Sequence, residues 1–240
     1  MRSHRKTLML GLRVALLVAL LAAAAACGGG ASPAAADPAA LYAVPLLGRD
    51  QGPADALVTV IEAGDFQCPY CKSQAAVLHQ LAADYPTDLR LFFAHLPLVE
   101  IHQRALPAAV AAECAAAQGQ FWAYHDALYA EAPALDDAAL VRHATALGLD
   151  LEAWRACRDD AATRRAVLEQ RERLLAFGVN GTPSFFINGR FARGGQSLAT
   201  LHTLVDQALV RARATLASDG LEASEFYQRV VLDQGRAPGS

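Results

Sequence analysis

Negative charge is missing from the start of this chain: no aspartate or glutamate precedes Asp37, whereas Arg2, Arg5, Lys6 and Arg13 are basic. No stretch further on is a basic block, so nothing calls for nucleic acid as a partner. No internal repeat is visible. There is no second C-x-x-C, no C-x-x-H and no H-x-x-x-H, so the spacings that usually mark a metal site are lacking. What is abundant is apolar sequence: 54% of the 240 residues are hydrophobic, which excludes a disordered chain and suits one substantial core.

The basic start is followed by an uninterrupted apolar run from Val14 to Ala26, the pattern of a secretory signal over residues 1–26. An uncleaved membrane-spanning anchor is the alternative, although Arg13 interrupts the run. The segment closes on Ala24-Ala25-Ala26-Cys27-Gly28, which resembles the lipobox of bacterial lipoproteins, with Ala24 where such boxes usually carry leucine. That resemblance implies lipidation of Cys27, a tether through acyl chains, and a lipoprotein-type linker over 27–54 whose Gly-, Ala- and Pro-rich start is flexible. An ordinary cleavage site with a stray thiol is the other reading. Removing residues 1–26 leaves 17 basic and 24 acidic residues, a net −7. Acylating Cys27 leaves an even four cysteines, as expected of an exported, disulfide-permissive protein.

Beyond the linker, Leu57 to Ile61 is a β-branched, apolar strand that continues towards Phe66. From Pro69 to Tyr85 the pattern is helical, with Ala75, Leu78, Ala82 and Tyr85 at three- and four-residue steps, and Pro86 ends it. Leu89 to Leu98 is a second strand, giving a right-handed strand–helix–strand unit with parallel strands. Residues 103–177 are helical in composition: 105–118, Phe121 to Tyr129, Asp136 to Leu147, and Leu151 to Phe177 in one or two pieces. That is too much helix for one crossover, and it reads as an inserted subdomain. Strand character returns at Ser184 to Ile187, and Asn188-Gly189 before Arg190-Phe191-Ala192 signals a hairpin because both turn positions tolerate positive φ. An amphipathic helix follows from Ser197 to Arg213, and the tail can form a short helix from Glu222 to Leu232.

Chemistry concentrates at Phe66-Gln67-Cys68-Pro69-Tyr70-Cys71-Lys72. Two cysteines separated by two residues suit disulfide exchange or half a zinc site, and the zinc reading lacks its other ligands. A thiolate attacks disulfides, and a helix N-terminus favours that anion. Cys68 lies where the helix starts, and Pro69 costs nothing in its first turn. Cys71, one turn on, should be more buried and act as the resolving thiol, with Lys72 adding nearby positive charge. Without further context Glu62 is a strand residue of either facing, and Thr182-Pro183 is a turn before a strand. His95 and His102 read as structural, and Phe121-Trp122, Tyr124, Leu128 and Tyr129 as helix core.

Glu62-Ala-Gly-Asp65-Phe66-Gln-Cys68-Pro69-Tyr70-Cys71, with Gly178-Val-Asn-Gly-Thr182-Pro183-Ser-Phe-Phe-Ile-Asn-Gly189 far downstream, resembles the DsbA-like branch of the thioredoxin superfamily over about residues 55–213. The resemblance implies an α/β fold, a thioredoxin domain from 55–102 and 179–213, with an inserted α-helical subdomain at 103–178 and a tail at 214–240. It implies a catalytic Cys68 and Cys71, a buried Glu62 (Asp65 ranking behind it) moving protons for the resolving thiol, and a cis Thr182-Pro183 bond. Together with Pro69 and Tyr70, that bond would lie where substrate docks. Relatives of this branch carry cysteines in settings like those of Cys114 and Cys157, implying a structural disulfide; two unpaired buried thiols are the alternative.

The expected activity is that of an exported protein thiol:disulfide oxidoreductase in the bacterial periplasm or cell envelope, without cofactor or metal. It would most readily act as an oxidase of cysteine-containing secreted proteins, reset by a membrane or periplasmic redox partner. A disulfide reductase or isomerase, and a redox-inert module that binds secreted chains, are the competing readings. Oxidising relatives often carry histidine between the cysteines, where this chain has Tyr70.

Overall fold

The computed structural model describes residues 35–239, so Cys27 and the expected signal segment lie outside the described residues. A five-stranded mixed sheet forms the centre, in the order β1 (Arg49–Gln51), β3 (Leu89–His95), β2 (Val58–Gly64), β4 (Ser184–Ile187), β5 (Arg190–Arg193). Its middle strand, β2 (Val58–Gly64), is buried along its whole length. It pairs in parallel with β3 (Leu89–His95) and antiparallel with β4 (Ser184–Ile187). The hairpin to β5 (Arg190–Arg193) turns through Asn188 (φ 44°) and Gly189 (φ 76°). The Asn188 side chain also bridges to the middle of the sheet, accepting from Thr59 N (2.7 Å) and donating to Leu57 O (2.8 Å).

Because side chains alternate across a strand, the two faces of β2 take different partners. Val58 and Val60 pack with Leu78 and Leu81 of α1 (Pro69–Asp84) and with Leu201 and Val205 of α7 (Leu198–Asp219). Ile61 and Ala63 face the opposite way, against Leu174 and Phe177. Glu62, in phase with Val58 and Val60, therefore turns towards the helix that carries the cysteines.

The insertion between β3 and β4 comprises α2 (Ala105–Ala116), α3 (Phe121–Glu131), α4 (Asp137–Ala146), α5 (Leu151–Asp159) and α6 (Ala161–Ala176). Asp136, Asp150 and Asp160 cap the last three, each accepting from backbone N–H groups of the first turn. Asp160 is also where the helical stretch from Leu151 breaks in two. A disulfide joins Cys114 on α2 to Cys157 on α5, with S–S 2.07 Å.

The structure departs from the sequence expectations around the chain ends. In the expected 27–54 linker, Ala36, Ala40, Tyr42, Val44 and Leu47 are buried, so the described part is packed and not a flexible stalk. Distant aromatic rings provide the reason: Tyr42 meets Phe177 and Phe186 edge-on at 6.1 and 5.9 Å. Residues Arg49–Gln51 form β1, antiparallel to β3, a short edge strand without apolar alternation. Helix α7 runs to Asp219, past the expected boundary at 213, and stops at Gly220 in the left-handed region. The tail then forms α8 (Ala223–Phe226) and a π-helical turn, Tyr227–Leu232. It returns to the N-terminal segment, with Arg236 N donating to Leu41 O (2.8 Å) and Tyr227 Oη to Val44 O (2.8 Å).

Candidate active site

Cys68 is the N-cap of α1, with extended backbone (φ −70°, ψ 120°) and Pro69 in the first turn. Two residues hold this loop. Asp65 accepts from Gln67 N (2.7 Å), Leu98 N (2.8 Å) and His102 Nδ1 (2.8 Å), while its own carbonyl receives Cys68 N (3.1 Å) and Tyr129 Oη (3.4 Å). Gln67 donates to Pro133 O (3.1 Å) and accepts from Arg104 N. Asp65 is thus committed to the loop, and Glu62 is the carboxyl left unpaired: its Oε1 has no hydrogen-bond partner among the described residues.

The two thiols are free and differ sharply. The Cys71 thiol, hydrogen-bonded to the Cys68 sulfur, is the chief cause holding Cys68 down at about 5. Burial opposes this, and Thr182 with the backbone N–H groups of Cys71 and Tyr70 lowers it further. Cys71 is fully buried and is pushed well above the ordinary thiol range, first by burial, then by its hydrogen bond to Cys68 and by the charges of Glu62 and Cys68. Burial, and next the Cys68 charge, raise Glu62 to about 8. The arrangement stabilises one thiolate at the helix start over a protonated thiol and a buried carboxyl that ionises near neutrality.

Far along the sequence, the Thr182-Pro183 bond is cis, and Cys68 Sγ lies 3.4 Å from Thr182 O. Tyr70 is 71% exposed and, with Ile101 (71% exposed), puts apolar surface beside the cysteines. A cleft of about 440 Å³ between Pro69, Gln67, Ile101, Arg104 and Pro133 opens there.

Some residues near the site were missed or misjudged from sequence. Lys72 does not face Cys68; its Nζ donates to Ala130 O (3.1 Å) and Ala132 O (2.9 Å), closing the C-terminal end of α3. The Ala132-Pro133 bond is also cis. His102 belongs to the loop's framework through Asp65. His95 is buried against Glu113, which Arg49 also reaches; burial opposes ionisation of Glu113, but the His95 and Arg49 contacts hold it at about 2. Beneath the dithiol, Phe66 stacks on Phe93 (5.0 Å) and meets Tyr129 (5.1 Å).

The family model described as Thioredoxin matches residues 48–207. The chain belongs to the thioredoxin family. Its fold, with helices inserted between β3 and β4, is that of the DsbA-like thiol:disulfide oxidoreductases. A thioredoxin-like oxidoreductase from Silicibacter pomeroyi superposes with TM-score 0.62 at 28% identity, covering 68% of this chain and 92% of that one. Wolbachia pipientis alpha-DsbA1 gives 0.63 at 21% identity (70% and 93%), and the catalytic domain of Proteus mirabilis ScsC gives 0.61 at 20% (69% and 91%). By sequence the thioredoxin-family chain is also similar to proteins named Na(+)/H(+) antiporter NhaA. That of Salinispora tropica is 40% identical over 163 residues, and that of Herminiimonas arsenicoxydans 35% over 162. The chain spans only about a quarter of the length of these relatives. Among the described residues no helix is long and apolar enough to cross a membrane.

Proposed function

We propose that this chain is an exported thiol:disulfide oxidoreductase that oxidises cysteine pairs of secreted proteins, with Cys68 as the attacked sulfur and Cys71 as its resolving partner. The observation that carries the reading is the depressed Cys68 thiol, at about 5, at the start of α1 and 3.4 Å from Thr182 O. A stabilised thiolate favours the reduced dithiol, and a protein whose reduced form is favoured is an oxidant towards its substrates. Here Cys71, Thr182 and backbone N–H groups provide the stabilisation that a histidine at position 70 would otherwise add.

The reaction begins with the Cys68–Cys71 disulfide. A substrate thiolate attacks the Cys68 sulfur, the S–S bond breaks, and Cys71 leaves with the electron pair and takes a proton, for which Glu62 is the nearby carrier. A second substrate thiolate then attacks the substrate sulfur of the mixed disulfide, and Cys68 leaves as a thiolate. Two substrate thiols become one disulfide, and the two electrons end on the Cys68/Cys71 dithiol. When the second thiolate is lacking, Cys71 attacks Cys68 and frees the trapped substrate. A membrane or periplasmic partner must remove the electrons before the next turnover. The exposed Tyr70 and Ile101, and the cis-proline loop, suit docking of an extended chain.

The envelope location and a lipid anchor through Cys27 rest on the sequence of residues 1–27 alone. The antiporter names describe proteins of which this chain spans a quarter, and they contribute no step to this mechanism. Equilibration of Cys68/Cys71 with glutathione buffers tests the direction: an oxidase should have a potential less negative than about −200 mV. A thioredoxin-like value near −270 mV would make it a reductase. A dithiol that exchanges with neither glutathione nor a reduced, unfolded protein would leave only the binding-module reading.

A further inference from the structure

The surface between α1 and α3 carries a group of side chains that disulfide exchange does not use. His79 Nε2, on α1, and His125 Nδ1, on α3, each lie 2.8 Å from the same Asp126 Oδ1. All three ligand atoms fall within 4.8 Å of one another. From these positions we infer a binding site for a first-row divalent transition ion, Zn2+ being the reference case, held by His79 Nε2, His125 Nδ1 and an Asp126 carboxylate oxygen.

Three features of this hydrogen-bonded trio suit a cation. The first is spacing. Zinc sits about 2.0–2.1 Å from imidazole nitrogen and carboxylate oxygen, which puts tetrahedral ligand atoms roughly 3.3 Å apart. That separation falls between the present 2.8 Å contacts and the 4.8 Å span of the group, so the adjustment needed falls to the exposed His79 and Asp126 side chains. The second is rigidity. The His125 ring is 3% exposed and fixed by aromatic neighbours, with Tyr129 at 4.8 Å, Phe93 at 5.0 Å and Trp122 at 5.1 Å, so its Nδ1 edge is already aimed at Asp126. The third is access: the His79 and Asp126 side chains are 43% and 48% exposed, leaving room for water to complete an open coordination position.

Binding requires the ring proton of each histidine to sit on its far nitrogen, Nε2 of His125 and Nδ1 of His79. The ion would pin α1, which carries Cys68 and Cys71, to α3 of the helical insertion, a link unrelated to the Cys114–Cys157 disulfide. The ligands on the two helices are 47 residues apart in sequence, so no local spacing announces them.

The test uses metal-free protein with Cys68 and Cys71 oxidised to a disulfide, so that neither thiol can ligate. Calorimetric titration with zinc should reveal one site, and cobalt should show ligand-field bands without thiolate charge transfer. His79→Ala and Asp126→Asn, both at exposed positions, should each weaken zinc binding by about tenfold or more, at least the loss that second-shell changes cause. Zinc should raise the melting temperature of the unsubstituted protein and leave His79→Ala unmoved. Absence of a site below about 1 mM zinc, or unchanged affinity in both variants, overturns the proposal.

Discussion

Cys68 Sγ lies 3.4 Å from the carbonyl oxygen of Thr182, a contact spanning 114 residues of sequence. The helix start and the cis-proline loop therefore form one site, although the whole helical insertion separates them in the chain. The asymmetry of the dithiol comes chiefly from the hydrogen bond of the Cys71 thiol to the Cys68 sulfur, with the backbone N–H groups of the first turn of α1 adding to it.

Alkylation of reduced protein should report this asymmetry directly. Cys68 should react with a rate that rises through a midpoint near pH 5, while Cys71 stays unreactive until the protein unfolds. Cys71→Ala removes the largest cause of the shift and should move the midpoint up towards 9. A midpoint unchanged by that substitution would mean that the helix N-terminus alone holds the thiolate.

Much of this site is legible in the sequence because its determinants are local. The cysteines, Pro69 and the apolar face of α1 stand together, and Asn188-Gly189 announces its hairpin. Other parts depend on groups brought from a distance. Asp65 meets Leu98 and His102, 33 and 37 residues away, so its role in the loop has no local signature. Lys72 looks like a neighbour of Cys68 by number, yet the helical turn directs it to the carbonyls of Ala130 and Ala132. Residues 28–40 read as a flexible stalk by composition, yet Ala36 and Ala40 are buried, and the aromatic groove formed by Phe177 and Phe186 explains why Tyr42 beyond them is buried too.

The loop built by Asp65 should be costly to dismantle. Asp65→Ala strips acceptors from Gln67 N and Leu98 N and leaves His102 without its partner. A loss of about 2–4 kcal/mol in urea unfolding is expected, with Asp65→Asn milder because the amide oxygen can still accept. A loss below 0.5 kcal/mol, roughly the scale of an inert surface change, would show that the loop is held by other contacts.

The disulfide of the insertion closes a separation of 43 residues. Loop entropy assigns it roughly 4 kcal/mol, so Cys114→Ala/Cys157→Ala should lower the melting temperature by on the order of 10 °C. Because neither Cys114 nor Cys157 is among the groups that set the Cys68 value, the double variant should keep the Cys68 alkylation midpoint. A shift of that midpoint would show that the insertion positions the site.

Glu62 offers the sharpest pH signature. Its folded-state value, about 8, lies above the ordinary 4.5, so the folded protein holds a proton that the unfolded chain has released between those limits. Its contribution is neutral below pH 4.5 and increasingly destabilising up to pH 8, after which it is constant. Glu62→Gln removes that dependence without removing bulk. The stability of Glu62→Gln relative to the unsubstituted protein should therefore climb with pH across this window, at most by ~1.4 kcal/mol per unit. Comparing the two at each pH cancels the opposite trend from Cys68, whose lowered value adds stability to the reduced protein between pH 5 and 9. The same substitution should slow release of a trapped mixed disulfide by Cys71, by ~10²-fold if Glu62 is its general base, and should slow the reverse step, attack of a substrate thiolate on the Cys68–Cys71 disulfide, to a similar extent. Rates of both steps left unchanged by Glu62→Gln would remove Glu62 from the proton transfer.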